Sequence, residues 1–272
     1  MTASWDLKLD RAEEHLGEFK SLIDPLLQRC VNPVTKKWET HNQKSKFVYR
    51  VSFTNPAPDE RLAVVAGDVM HNIRSALDHA AVALVSPGKQ HLASFPIFTT
   101  DPNAADEGTG KNLRPNDLRA WRKCVQDMPD QAVSFLDMLQ PYHGLEDGDD
   151  PNDSALALLA EFQNADKHRQ LSVIAQGLDD LAFFFIGSDG TRAREEPPEG
   201  SVPPNGLMRN GAIVNVDDSN PPRKMEMEIE GTPKIVIGSS ADGPLRRCPQ
   251  VLDIMCEISR NIVTDLATID WR

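Results

Sequence analysis

The chain has 272 residues, of which 40% are hydrophobic and 26% are charged, and its formal net charge at pH 7 is −12. This length and apolar content are enough for one large folded domain or two small ones. The negative surface opposes binding to nucleic acid and to anionic membranes, so a nucleic-acid role requires a local basic cluster. No window approaches the roughly 18 consecutive apolar residues of a membrane-spanning helix, so no membrane contact is expected.

The cysteine spacing and the composition of residues 1–6 bear on the cellular compartment of the protein. Cys30, Cys124, Cys248 and Cys256 form no C-x-x-C pair. This spacing is typical of reduced, mostly buried thiols and not of zinc ligands or a disulfide framework. Residues 1–6 lack a basic segment followed by an apolar one, so no signal peptide is expected. The sequence therefore predicts a cytoplasmic protein.

Two helices and one strand are predicted in the first third of the chain. Apolar residues recur at helical spacing over residues 5–30, which predicts an amphipathic helix. Alternating apolar residues predict a strand over 46–53. A turn at 55–58 precedes a helix over 59–85, and Asp59 is expected to cap it.

The middle of the chain combines an irregular stretch with three helices. Residues 87–114 have no periodic pattern, and Phe95-Pro96-Ile97-Phe98 within them is expected to be a short buried anchor. Helices are predicted over 115–127 and 129–139, each of which begins with a proline suited to a first turn. A further helix is predicted over 153–170, with Asp153 or Ser154 as its cap.

The last third changes from strands to a final helix. Strand-like segments lie at 181–186, 211–216, 224–229 and 234–237, separated by proline-rich loops, and an antiparallel meander is the simplest interpretation. Pro249 opens the last helix, over 249–270.

These elements predict a fold of class α+β, mainly α, in a single domain over residues 1–272. The helical core is assigned to residues 5–30, 59–85, 115–170 and 249–270. Its long helices are expected to form a four-helix bundle. The β meander is then a β-rich insertion over about residues 171–240, before the last helix.

The helix at 59–85 has a polar side with an unusual composition. Its members are Asp68, His71, Asn72, Ser75, Asp78 and His79, with Arg74 beside them. Asn, Ser and Asp are poor residues inside a helix because they compete for backbone hydrogen bonds, so their concentration predicts specific partners. One interpretation is a structural network between helices, with Arg74 and Asp78 as an ion pair. The other interpretation is a functional site.

A second polar cluster lies on the helix at 153–170. Glu161, Asn164 and His168 share one face of that helix, and its end carries Asp166-Lys167-His168-Arg169. Basic residues at this position also suit the helix dipole, which is a structural alternative. The functional hypothesis is that both clusters face each other across the bundle. Arginine and histidine together are suited to a phosphate, because arginine donates in a planar fork and histidine moves protons near neutral pH.

The segment from Arg74 to His79 has the form R-x4-H, with a polar residue directly after the arginine. It resembles the R-x(4–6)-H signature of the HEPN superfamily. The segments N-I-R-S-A-L-D-H and A-D-K-H-R also resemble a family of uncharacterised bacterial proteins. The HEPN resemblance implies a helical bundle and a metal-independent ribonuclease of toxin–antitoxin or antiphage defence systems. It further implies RNA as substrate, an antitoxin or other protein partner, and a homodimer in which two motifs line one cleft.

The resemblance assigns roles to residues of this chain. His79 would be the general base or acid at the ribose 2′-hydroxyl or the leaving oxygen, and Arg74 would stabilise charge on the phosphate. Ser75 or Asn72 would orient the phosphate or the imidazole. Supporting positions are His71, Asn72, Ser75, Asp78, Asn164, Asp166, Lys167, His168 and Arg169. A cyclic phosphate product is expected, with no metal and no cofactor.

Two alternatives remain open on the sequence. A metal-dependent hydrolase would use His71, His79 and His168, although no H-x-x-x-H or E-x-x-H spacing is present. A non-enzymatic scaffold would use the polar clusters to fix helix packing and the acidic surface to meet a basic partner. No Walker loop and no G-x-S-x-G elbow occurs, so nucleotide hydrolysis and serine-hydrolase chemistry have no support.

Overall fold

The computed structural model combines α-helices with an antiparallel sheet. The residues it describes are 3–28, 30–41, 44–51, 58–86, 88–105, 109–144, 150–168, 171–186, 189–195, 213–216, 226–239 and 245–268. Within these ranges they form six α-helices and seven strands, with more residues in helices than in strands. The predicted α+β, mainly α class is therefore confirmed. The four-helix bundle stays a prediction.

The chain divides into two compact units. The first comprises Met1–Lys20, Ala63–Ser172 and Gly238–Arg272, and the second comprises Ser21–Leu62 and Val173–Ile237. The single domain expected from the sequence stays a prediction, and the two units are described separately.

The helices and one short strand belong mainly to the first unit. Their bounds are α1 Ser4–Ile23, α2 Arg61–Ala83, α3 Pro115–Cys124, α4 Asp130–Met138, α5 Ala155–His168, α6 Gln250–Thr268 and β7 Leu245–Arg247. None of the helices in the described ranges is long and apolar enough to cross a membrane. Residues 88–105 and 109–114, within the stretch expected to be irregular, contain only a 3₁₀ turn at Gln90–Leu92 and an isolated bridge between Ala105 and Asn112.

Local signals define where two helices begin. An Asp59 carboxylate oxygen accepts the backbone N–H of Arg61 at 2.8 Å, next to the start of α2. The Ser154 hydroxyl accepts the N–H of Ala157 at 3.2 Å, at the start of α5. Each satisfies a backbone donor that the first turn of a helix leaves without a partner. The expected caps at Asp59 and Ser154 are confirmed.

The helix predicted over 5–30 is too long. It ends as α1 at Ile23, and a 3₁₀ turn follows at Asp24–Leu27. Pro25 lies in the first turn of that segment and has no N–H with which to continue the α-helical hydrogen bonds. Cys30 is the first residue of a strand instead of the last residue of a helix.

Ion pairs connect α1 to α6 within the first unit. Lys20 Nζ lies 2.5 Å from an Asp253 carboxylate oxygen. Arg260 contacts Glu13 at 2.7 Å and Asp10 at 3.0 Å. Residues near the end of α1 thus meet the start of α6, and earlier residues of α1 meet its middle, so the two helices are antiparallel.

Ser259, on the buried face of α6, is a polar residue in an apolar environment. It is 1% exposed, and its hydroxyl forms no hydrogen bond within the described part of the chain. We expect Ser259→Ala to raise the free energy of unfolding by about 1–2 kcal/mol, because it removes a buried group that lost its hydrogen bonds to water. Urea denaturation measures this difference.

The control for Ser259→Ala is Ser134→Ala, at an exposed position of α4. That variant carries the gain in helix propensity alone, about 0.5 kcal/mol. Equal changes in the two variants, or a loss of stability in Ser259→Ala, would show that the Ser259 hydroxyl has a partner in solution.

Six strands form the sheet of the second unit. They are β1 Cys30–His41, β2 Lys44–Val51, β3 Ser172–Ile186, β4 Arg192–Glu195, β5 Ile213–Val216 and β6 Glu226–Gly238. Their spatial order is β4-β3-β6-β1-β2-β5. The hairpin β1–β2 pairs Val34 with Val51, and β1 pairs with β6 through Cys30 and Gly231.

The predicted meander over 171–240 is wrong in order and extent. Two strands of the sheet precede α2 in the chain, and β5 pairs with β2 instead of with a neighbour in sequence. Only β2 of the hairpin corresponds to a predicted strand, 46–53, and residues 52 and 53 lie outside the described part. Strand β1 was not predicted because Cys30–His41 has no sustained apolar alternation and contains Pro33.

The two strands predicted at 224–229 and 234–237 are one continuous strand, β6. Gly231 and Pro233 between them are typical of a turn. A Cβ at Gly231 would lie 3.0 Å from the Leu178 Cβ and 3.1 Å from the Asp179 carbonyl oxygen. The glycine therefore permits close approach of the strand that carries Leu178 and Asp179.

Candidate functional site

The polar side of α2 and one face of α5 line a common cleft in the first unit. The cleft has a volume of about 560 Å³, and the segment 94–98 and Cys124 complete its lining. Seven residues predicted for the site line it: His71, Arg74, Ser75, Asp78 and His79 from α2, and Asn164 and Lys167 from α5. Residues from both polar clusters therefore line the same cleft.

Other residues predicted for the site lie elsewhere. Asn72 is 9% exposed, and its side-chain amide donates to the Asp68 carbonyl oxygen at 2.8 Å, one turn back along α2. The Asp166 carboxylate lies against Gly67, so close that a Cβ on the glycine would be 2.8 Å from one of its oxygens. Neither residue lines the cleft. The His168 side chain and the whole of Arg169 lie outside the described residues.

Arg74 and Asp78 are bonded to each other and to the backbone of Phe95. The guanidinium Nε donates to one Asp78 oxygen at 3.2 Å, and Nη2 lies 3.0 Å from the other. Nη2 also donates to the Phe95 carbonyl oxygen at 2.7 Å, and Asp78 accepts the Phe95 N–H at 2.9 Å. Nη1 has no hydrogen-bond partner within the described ranges. The network confirms the expected i,i+4 ion pair and still leaves one edge of the guanidinium for a ligand.

A third side chain, Gln140, holds the same wall of the cleft. Gln140 is 2% exposed, and its amide nitrogen donates to the carbonyl oxygens of Pro96 at 3.1 Å and Leu136 at 2.8 Å. Its amide oxygen accepts the Phe98 N–H at 2.9 Å. Segment 95–98 is thus held at its start by Arg74 and Asp78 and at its end by Gln140, so the cleft has a preformed wall.

Sequence reasoning expected segment 95–98 to be a buried anchor and missed its place at the site. Phe95 and Pro96 are buried, but Ile97 and Phe98 are half-buried and line the cleft. Gln140 gave no signal in the sequence, because a single glutamine after a helix has no periodic or motif context.

Basic side chains line the cleft. His71, His79 and Lys167 are exposed, and Lys167 makes no ion pair with any described residue. His79 Nδ1 lies 3.1 Å from the Ser4 hydroxyl, which leaves Nε2 without a partner among the described residues. Because Asp78 balances the charge of Arg74, Lys167 gives the cleft a local positive excess in a chain of net charge −12. The lining therefore combines anion-binding groups with imidazoles that transfer protons.

A metal site finds no geometric support in the described residues. They contain no group of three or more His, Cys, Asp and Glu residues placed to hold an ion. His168, the third ligand of the metal hypothesis, has its side chain outside this set.

Cys124 offers a chemical probe of the cleft. Its half-buried thiol accepts a hydrogen bond from the Ser94 hydroxyl at 3.3 Å, whereas burial raises the pKa of the Cys248 and Cys256 thiols to about 12. At pH 8 a thiol with that pKa is ionised in about one molecule in 10⁴, and only the thiolate reacts. We expect N-ethylmaleimide to label Cys124 well before Cys248 and Cys256, as measured by peptide mass spectrometry.

Unfolding in guanidinium is the control for this labelling, since all three thiols should then react at similar rates. Rapid labelling of Cys248 or Cys256 in the folded protein would contradict the burial described here. Protection of Cys124 by a ligand would locate that ligand in the cleft.

Comparison of the chain with protein-family models, with curated proteins and with solved structures finds no match.

Proposed function

We propose that this protein is a HEPN-like, metal-independent endoribonuclease whose active site is the cleft between α2 and α5. The observation that carries the proposal is that Arg74 and His79 line one open cleft together with Lys167 of α5. A phosphodiester needs an anion-binding group and a proton-transfer group side by side, and this cleft has both.

The proposed chemistry is transfer of the phosphate to the neighbouring 2′-hydroxyl. His79 acts on the proton of the 2′-hydroxyl or of the leaving 5′-oxygen through Nε2, and Ser4 holds its other nitrogen. Arg74 Nη1 and Lys167 stabilise the charge that develops on the phosphate oxygens. His71 lines the same cleft and is the candidate for the second proton transfer. The products are a 2′,3′-cyclic phosphate and a free 5′-hydroxyl.

The fold proposed for this activity is the four-helix core formed by α1, α2, α5 and α6. Contacts within the first unit support it. Ion pairs join α1 to α6, the Ser4–His79 contact joins α1 to α2, and Asp166 lies against Gly67 where α5 meets α2. A glycine at that point lets two helices approach closely, which positions the polar faces at the cleft.

A direct assay tests the activity. Purified protein is incubated with a fluorescently labelled single-stranded RNA in excess EDTA, and the fragments are resolved on a denaturing gel. We expect cleavage with cyclic phosphate ends, detected by their resistance to phosphatase until acid opens the ring. The same protein with DNA of identical sequence is the control, because DNA lacks the attacking 2′-hydroxyl. Cleavage of both nucleic acids, or of neither, would contradict the proposal.

The biological setting follows from the resemblance and is part of the proposal. A toxin or antiphage ribonuclease is held inactive by an antitoxin or other protein partner and joins two copies of its motif in a homodimer. Relief of growth arrest when the partner is co-expressed tests the partner. Light scattering of the purified chain, which measures its mass, tests the homodimer.

The non-enzymatic scaffold is the second candidate, and one observation favours it. Arg74 and Asp78 bond to each other, and each also forms one hydrogen bond with the Phe95 backbone, which is what a structural network requires. The two functions differ in what happens on substitution, since a scaffold loses stability whereas an enzyme loses activity with its fold intact. The metal-dependent hydrolase has no such observation in its favour.

A further inference from the structure

The cleft has an apolar and amide side that phosphate chemistry does not use. The apolar side chains of Ile97 and Phe98 are half-buried and line the cleft. The Phe98 ring packs edge to face on Trp121, with ring centres 5.9 Å apart and planes at 70°. Its backbone N–H is held by Gln140. Phe98 is therefore a fixed aromatic group in the same cleft as Arg74 and Lys167.

Gln163 adds an independent observation. It is 9% exposed and lines the cleft from α5, and its carboxamide forms no hydrogen bond with any described residue. Among the described residues only the Ser259 hydroxyl is a fully buried side-chain polar atom without a partner, so the Gln163 amide is open to the cleft and can offer a donor and an acceptor to a ligand there. The edge of a nucleobase offers such a pair to glutamine.

We infer that the cleft selects an unpaired nucleotide, with its base stacked on Phe98 and the base edge bonded to Gln163. This inference rests on the proposed function, whose substrate class it specifies. Arg74 and Lys167 then hold the phosphate of the same nucleotide. Aromatic stacking tolerates every base, whereas a duplex cannot present a base face to Phe98, so single-stranded RNA is the substrate form. A volume of about 560 Å³ lies within the usual range of small-molecule sites.

Two ligands separate the base from the phosphate. Isothermal titration of the full-length chain with 5′-AMP and with ribose 5-phosphate compares ligands that differ only in the base. We expect 5′-AMP to bind at least about fivefold more tightly, the lower end of the gain from one stacked base. Equal affinities would overturn the inference.

Two variants assign the difference to residues. Phe98→Leu should weaken 5′-AMP binding by at least about fivefold and leave ribose 5-phosphate unchanged. Gln163→Ala should weaken 5′-AMP by about two- to tenfold, the usual range for one hydrogen bond. The matched controls are Phe135→Leu and Gln131→Ala, both on α4 and outside the cleft lining. Loss of 5′-AMP binding in the controls, or its retention in both cleft variants, would also overturn the inference.

The same variants distinguish this inference from the proposed function. If 5′-AMP binds as expected and RNA is not cleaved, the base site is correct and the ribonuclease is wrong. If RNA is cleaved and Phe98→Leu cleaves it with unchanged KM, the ribonuclease is correct and the base site is wrong. Far-UV circular dichroism of each variant verifies that it is folded.

Discussion

His79→Ala is expected to lower the rate of RNA cleavage by about 10²- to 10⁴-fold, the usual contribution of a positioned acid or base. Arg74→Ala should lower it by about 10²- to 10³-fold, because a donor aimed at the developing phosphate charge is lost. Neither change should abolish folding, since both residues line a cleft and are not part of the apolar core. Initial rates on labelled RNA in EDTA measure both effects.

Matched variants separate catalysis from structure. Ser4→Ala removes the hydrogen bond to His79 but keeps its imidazole in the cleft. Gln140→Ala removes hydrogen bonds that hold segment 95–98, which Arg74 also holds, but keeps the Arg74 and Asp78 charges. Arg11→Ala and His91→Ala change the same residue types at exposed positions outside the cleft. If His79→Ala is no slower than Ser4→Ala, or Arg74→Ala no slower than Gln140→Ala, the two residues are structural and the scaffold is correct.

Phe95→Ala is expected to lower the free energy of unfolding by about 3–5 kcal/mol, the range for removing a buried aromatic ring. Phe95 is 1% exposed and is among the largest fully buried side chains. Its backbone bonds to Arg74 and Asp78 do not depend on the ring, so the loss reports packing alone. Urea denaturation followed by tryptophan fluorescence measures it.

The control for Phe95→Ala is Leu113→Ala, at a side chain that is 60% exposed, where a change within about 0.5 kcal/mol is expected. Phe95→Ala should also accelerate labelling of Cys124, because the wall of the cleft loses its anchor. A loss below about 1 kcal/mol would show that segment 95–98 packs loosely in solution, and the preformed cleft would then be wrong.

The sequence was most informative where physical signals are local. Helical periodicity, the caps at Asp59 and Ser154 and the prolines at 115 and 129 act within one or two turns, so α2 to α6 were predicted with errors mainly at their ends. The polar side of α2 was visible for the same reason, because a helix of fixed pitch determines which residues share a face.

The sheet was harder to predict because strands depend on partners that are distant in the chain. Strand β1 has a weak pattern and lies between β6 and β2, whose hydrogen bonds hold it. Gly231 is typical of a turn in the sequence and is part of a continuous strand in the structure, since the determining contact is with Leu178 and Asp179. A contact between residues more than 50 positions apart leaves no local sequence pattern, so the continuous strand at Gly231 could not be predicted.

For the candidate site, the residue types and their helix faces follow from local sequence: His71, Arg74 and His79 lie on one helix, and Lys167 lies on another. Their neighbours in the cleft come from segments that are distant in the chain, so packing determined them. It brought Phe98 and Gln163 to the cleft and placed Gln140 where it holds the backbone of segment 95–98. Asp166, although next to Lys167 in the sequence, lies against Gly67 and outside the cleft. Successive residues of a helix point in directions that differ by about 100°, so the neighbours Asp166 and Lys167 on α5 face different surroundings.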